Sequence, residues 1–330
     1  MNQIPSAPNL PLQEAYICKD VHGRVVVFAR CDRDVRIYLP DDIMEKDIKI
    51  SLDRWAEMKK SYRDSTDIDR YNDVVNAAWQ CLGLRNPINK NDAKALKTEL
   101  GRYFPRIWRG VYDSERFYCY NHIDARSTYG GVYVGANVAV SSIFANVESL
   151  FLYVEPAKEN LPTFGHKIRE TLILACTEVE SAWRSVLEAN ANNRKASYST
   201  NDYYRLVEPL RLKEWTVVLK DYPTLGGFSP FASWDQNRPT KSLSWYDAYN
   251  AVKHHREERF QHASFESLIN AAGALHIMQA AQFGPEIYDR FFGNERSPFF
   301  TASHPAHDLS ELYAPDLYSG KQISPKLYFG

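Results

Sequence analysis

Apolar positions divide the chain into a short β-like opening, a poorly periodic middle and a strongly helical second half. Ala15–Cys18 and Arg24–Ala29 read as two strands, and the turn residues Asp20–Gly23 between them predict a hairpin. Arg36–Leu39 predicts a third strand, and the charged stretch that follows predicts a short helix over Leu52–Ser61. Ile68, Tyr71, Val74, Val75, Ala78, Trp79 and Leu82 recur at helical spacing before Gly83. Asn91-Asp92 then resembles a cap for a helix ending at Phe104-Pro105. Residues 106–135, rich in Tyr, Gly and Arg, carry no clear period.

Beyond that stretch the helical pattern is sustained. Val138–Val154 predicts an amphipathic helix closed by Glu155-Pro156, and Gly165–Asn190 predicts a long one. The apolar set of the second is Ile168, Leu172, Ile173, Ala175, Cys176, Val179, Trp183, Val186 and Leu187. Tyr203–Glu208 is helical by pattern, Glu214–Leu219 strand-like, and Tyr222–Ser242, with three prolines, a loop. Two further helices are expected, from near Ser242–Ser244 to Phe260 and over Ser264–Gly284. The expected class is mainly α. It comprises an N-terminal α+β region (1–135) with a small hairpin or sheet, a helical bundle (136–290) and an extended C-terminal tail (291–330).

Composition narrows the function classes. A net charge of −1 gives no global attraction to nucleic acid or anionic membrane, so any such binding must be local. The five cysteines have no metal-ligand or redox spacing and read as reduced thiols. The opening residues lack a basic segment followed by an apolar run, and the apolar runs near Val132–Val140 and Leu172–Cys176 fall short of a bilayer span. A cytoplasmic location with no membrane partner is therefore expected. No phosphate-cradling glycine loop, HExxH, GxSxG or CxxC is present, and no cofactor is expected. His304, His307 and Asp308 lie close in sequence, but a loop of that composition usually binds no metal, and no metal site is expected.

The chemically richest stretch is Ser244–Phe260. Helical spacing puts Trp245, Ala248, Tyr249 and Val252 on one apolar stripe, and Asp247, Asn250 and His254 on another face. An imidazole titrating near neutrality can serve as acid or base, and Lys253, His255 and Arg256 can grip a phosphate. The set suits metal-free cleavage of an RNA phosphodiester by its own 2′-hydroxyl, with His254, Asn250 and Arg256 as the catalytic group. Glu178, Arg169 and His166 on the preceding long helix can form an ionic network that positions the imidazole.

Several segments together carry a resemblance. They are Tyr153-Val154-Glu155-Pro156, Phe164–Arg169, Leu172–Glu180 and Trp245–Arg256, with an Asn–x–x–x–His step at Asn250 and His254. This set is similar to a bacterial family with HEPN-like helices, and residues 140–285 resemble the HEPN superfamily. Many HEPN members are RNases of toxin–antitoxin, phage-defence and CRISPR systems. The resemblance implies a helical bundle, an RNA partner, a homodimer and metal-independent endoribonuclease chemistry. In that motif an Arg precedes the polar residue, whereas this chain has Tyr249 there, which removes a fixed cation. Arg256 and His262, with five residues between them, form an alternative catalytic pair. Tyr249 equally suits a catalytically inert interaction module whose helix supports a dimer and whose N-terminal region selects a protein partner. A small-molecule enzyme with an aromatic pocket is a third possibility.

Overall fold

The computed structural model describes residues 14–19, 24–30, 34–39, 46–51, 53, 94–254, 256–293, 295–317 and 323–329. Residues 1–12, whose polar, proline-rich composition predicts a loose arm, lie outside the described residues, as do the helix over residues 67–82 and most of the helix at 52–61. The chain forms two compact units, one of residues 1–103 with 307–324 and one of residues 104–306 with 325–330.

In the first unit β1 (Glu14–Lys19), β2 (Val25–Arg30), β3 (Asp34–Leu39) and β4 (Lys46–Ser51) make an antiparallel meander, with β5 (Lys94–Ala95) beside β1. The expected hairpin is β1–β2, with Ala15 opposite Ala29. Val25, Val26 and Val27 are all buried, so both faces of β2 are covered. The helix expected over Asn91–Phe104 does not form. Instead β5 and β6 (Arg102–Tyr103) flank a bent segment. Its backbone donors find partners outside any helix: Leu96 N–H donates to the Ala15 carbonyl, and Lys97 N–H to that of Ser310. Lys94 pairs with Asp308, and Lys97 with Glu311 at 3.0 Å.

The second unit is built around a helix. After the hairpin β7 (Val111–Asp113) and β8 (Tyr118–Tyr120) come α1 (Ala125–Phe151), α2 (His166–Ala189) and α3 (Thr200–Tyr204). Next are β9 (Thr216–Leu219), β10 (Gly227–Phe228), α4 (Ser244–His254), α5 (Arg256–Arg259), α6 (Phe265–Phe283) and β11 (Phe299–Ser303). Every residue of α6 from Ala271 to Phe283 is buried. A helix that is apolar all round must be enclosed on all sides. Helices α1, α2 and α4 pack on it, and the sheet β10–β9–β11 supplies further cover. Gly273 permits that approach, because a Cβ there would stand 3.1 Å from a Val217 methyl.

This sheet, with the five-stranded one, corrects the expected class. Helix takes 44% and strand 17%, a mixed α+β fold rather than a mainly helical bundle. The β11 strand lies in the segment expected to be an extended tail, and α1 runs through residue 135. Helix α1 begins earlier than its pattern suggests because Asp124 accepts the backbone N–H groups of Arg126 and Ser127. Gly130, at φ 51°, then kinks the helix and admits a conformation that a Cβ disfavours. By length and composition α1 is also sufficient to cross a bilayer, with a third of its apolar window buried in the protein. Val132, Val134 and Val138 project outward from it.

Trp183 of α2 lies at the centre of a ring cluster. It stacks on Trp234 at 5.1 Å and meets Tyr203, Tyr246, Phe231 and Trp245 at 5.1 to 6.3 Å. Aromatic pairs add to the free energy of burying their area. Trp183→Ala is expected to lower stability by about 3–5 kcal/mol. Denaturant titration checks this, and a loss under ~1 kcal/mol would mean that the cluster does not organise the core.

Candidate functional site

Helix α4 meets the start of α2. Trp245, Ala248, Tyr249 and Val252 are buried, as their spacing implies, and Tyr246 joins them. The Tyr246 hydroxyl donates to the Glu180 carboxylate. Burial, followed by that carboxylate, pushes the phenol far above its ordinary range. Arg169 crosses from α2 and donates Nη2 to the Val252 carbonyl at 3.0 Å, in the last turn of α4, where a cation also faces the helix dipole.

The polar face of α4 is partly engaged. Asn250, half-buried, donates Nδ2 to the Tyr246 carbonyl at 3.0 Å, so its amide is held against its own helix. Lys253 is exposed, and its ammonium bonds the Tyr249 hydroxyl at 2.7 Å while lying 4.9 Å from the ring centroid. That hydrogen bond raises its pKa and keeps it cationic. His254 ends α4 and Arg256 opens α5. The side chains of both, and all of His255, lie outside the described atoms. His262, the other member of the alternative pair, is exposed in the turn Phe260–His262.

The positioning network expected from Glu178, Arg169 and His166 is not assembled. Glu178 lies nine positions after Arg169, which places them on opposite sides of α2, about 13 Å apart along its axis. Glu178 is half-buried, and that burial raises its pKa. His166 instead lays its ring on Phe260 at 4.8 Å, and Phe164 meets Phe260 edge-on at 5.8 Å. Half of Phe164 remains exposed. The outcome is a surface where Phe164, Phe260 and His166 bring their rings together at the start of α2, with half-buried Arg169 one turn further along that helix. Exposed Arg259 and His262 sit on the elements flanking Phe260.

A second polar cluster escaped the sequence reading. Tyr112 and Cys119 are cross-strand partners on the hairpin, so their side chains share a face. That face docks on the turn after α6, Pro285–Tyr288, capped by Asp289. Tyr112 donates to Asp289 at 2.6 Å, and Asn121 donates Nδ2 to Glu286 Oε1 at 2.5 Å and to the Phe283 carbonyl at 3.1 Å. The Cys119 thiol also donates to the Glu286 carboxylate. Glu286 is 7% exposed, its Oε2 is buried without a partner among the described residues, and burial lifts its pKa to about 7. Gly284 (φ 105°) is required here, since a Cβ would collide with that carboxylate. The His304 ring, whose pKa burial lowers, lies 5.7 Å from that of Tyr112. One sequence signal was available: a Glu directly after a long apolar helix and a Gly-Pro stop.

Comparison with known proteins adds no relative: no family model, curated protein or solved structure matches the chain. Among the described residues no cluster of His, Cys, Asp and Glu has the arrangement to hold a metal ion.

The Glu286 carboxyl is neutral-favouring in the fold, with its pKa raised from 4.5 to about 7. Its contribution to stability is therefore complete below pH 4.5 and is lost as pH rises to 7. Glu286→Gln, which keeps the acceptor oxygen and stays neutral, should be more stable than wild type at pH 8, by on the order of 3 kcal/mol. That advantage should vanish near pH 4. Thermal unfolding at the two pH values checks it, and a difference independent of pH would contradict the assignment.

Proposed function

We propose that the face formed by the start of α2, the end of α4 and the turn Phe260–His262 binds single-stranded RNA and cleaves it without a metal ion. The observation that carries this reading is the ring group Phe164–Phe260–His166 at the start of α2, with Arg259 and His262 exposed on the elements flanking Phe260. Bases stack on such rings at about 1–3 kcal/mol each, while the cations take the backbone phosphates. A net charge of −1 is compatible with it, because phosphate binding needs only a local group of cations. His254, one residue beyond Lys253, is the general base for the 2′-hydroxyl. Lys253, with His255 and Arg256, stabilises the charge that develops on the phosphate. Asn250, held at its Nδ2, offers its carbonyl oxygen to the substrate or the imidazole. A toxin or phage-defence effector acting in the cytoplasm is the biological setting that this chemistry fits.

A second reading is favoured by α1. The exposed Val134 and Val138, one helical turn apart, leave a short apolar strip suited to a second copy of the chain, as in an interaction module without catalysis.

The test is incubation of the full chain with single-stranded RNA and tRNA in chelator. Wild type should cleave, and His254→Ala should cleave at least about 100-fold more slowly with its fold intact. Lys253→Ala should weaken binding. RNA that is neither bound nor cleaved by wild type would overturn the proposal in favour of the interaction module. Binding without cleavage would remove the catalytic half.

A further inference from the structure

We propose that Cys119 is a modification site for soft carbon electrophiles of the α,β-unsaturated carbonyl class, with Glu286 accepting the thiol proton. The site is separate from the α2–α4 face and does not depend on that reading.

Two independent features point to it. Cys119 is partly exposed on β8, whereas Cys18 and Cys176 are buried, and burial drives the Cys176 thiol well above its ordinary range. Behind Cys119 stands Glu286, more than nine-tenths buried, hydrogen-bonded to the thiol and carrying an oxygen without a partner among the described residues. Asn121 orients the carboxylate through its 2.5 Å hydrogen bond, and Gly284 provides room that no other residue would leave. A carboxylate held in water donates and accepts weakly at neutral pH. Burial makes this one a stronger base, close to the ambient pH where proton transfer is most efficient. The nucleophile of such reactions is the thiolate, which a positioned base can generate as the new bond forms.

The step balances without a co-reactant. The Cys119 sulfur bonds to the β-carbon of the alkene, and its proton moves to Glu286. The π pair of the alkene shifts to the α-carbon, which then takes the proton back from Glu286. Other titratable and charged groups around the carboxylate are Tyr112 on the hairpin and Tyr288 and Asp289 on its own turn, with the His304 ring against Tyr112. Tyr112 is held by Asp289, and burial raises its pKa, so it stays neutral.

The experiment treats the full chain with N-ethylmaleimide from pH 5.5 to 9 and follows the Cys119 peptide by mass spectrometry. Wild-type Cys119 should label with a rate that rises through pH 7. Glu286→Gln should slow it at pH 7.5 by at least about tenfold and move the rise towards the ordinary thiol value of about 8.5. Equal rates in the two proteins, or a wild-type profile already centred near 8.5, would overturn the proposal. Cys176 reports on folding. If it labels quickly in the variant, the wild-type profile and Asn121→Ala, expected to slow Cys119 without abolishing its inflection, decide the matter.

Discussion

Enclosure of α6 is the constraint from which the second unit follows. A helix buried on every side through Ala271–Phe283 leaves no face for solvent, so its neighbours must come from several directions. Helix packing alone does not close the ring, and the sheet β10–β9–β11 completes it, with Gly273 against Val217. Two buried polar residues of α6, His276 and Gln282, find side-chain partners inside. His276 bonds Ser297 and Thr301 at 2.8 and 3.0 Å, stacks on Tyr288 at 4.1 Å and is kept neutral by burial. Gln282 accepts from Arg106 at 2.8 Å. That guanidinium lies against the rings of Tyr129 and Phe283, 5.9 and 5.6 Å from their centroids, which offset part of the penalty of burying a cation.

Both polar sites hang on this central element. The α2–α4 face is set by α4 packing on α6 and by Arg169 reaching the Val252 carbonyl. The Glu286 cluster sits where α6 stops, at a glycine in a conformation with φ 105° and the 3-10 turn that follows. One site is a surface of rings and cations, and the other a buried carboxylate beside a partly exposed thiol. Their chemistries are therefore independent, although a single helix fixes the position of each.

What the sequence disclosed follows from the range of the interactions. The apolar stripes of α2 and α4 were legible because their burial is dictated by spacing within one helix, and the β1–β2 hairpin because its pairing is local. The helix expected at Asn91–Phe104 failed because Ala15 and Ser310, both remote in sequence, take its backbone donors. The bundle expectation failed because periodicity shows that α6 is apolar but not what covers it. The Glu286 cluster was hidden for the same reason, since Asn121 and Glu286 are 165 residues apart. On the polar face of α4, spacing singled out Lys253 but gave no hint that its ammonium turns onto Tyr249, nor that Phe164, Phe260 and His166 gather at the start of α2.

The ring group Phe164–Phe260–His166 is the centre of the functional account, and ultraviolet crosslinking of a uridine-rich single strand to the full chain tests it most directly. Peptide mapping by mass spectrometry should place the crosslinks on Phe164, His166 or Phe260, with their yield falling as salt rises. Crosslinks confined to other surfaces, or a yield unchanged by Phe164→Ala and Lys253→Ala together, would contradict it.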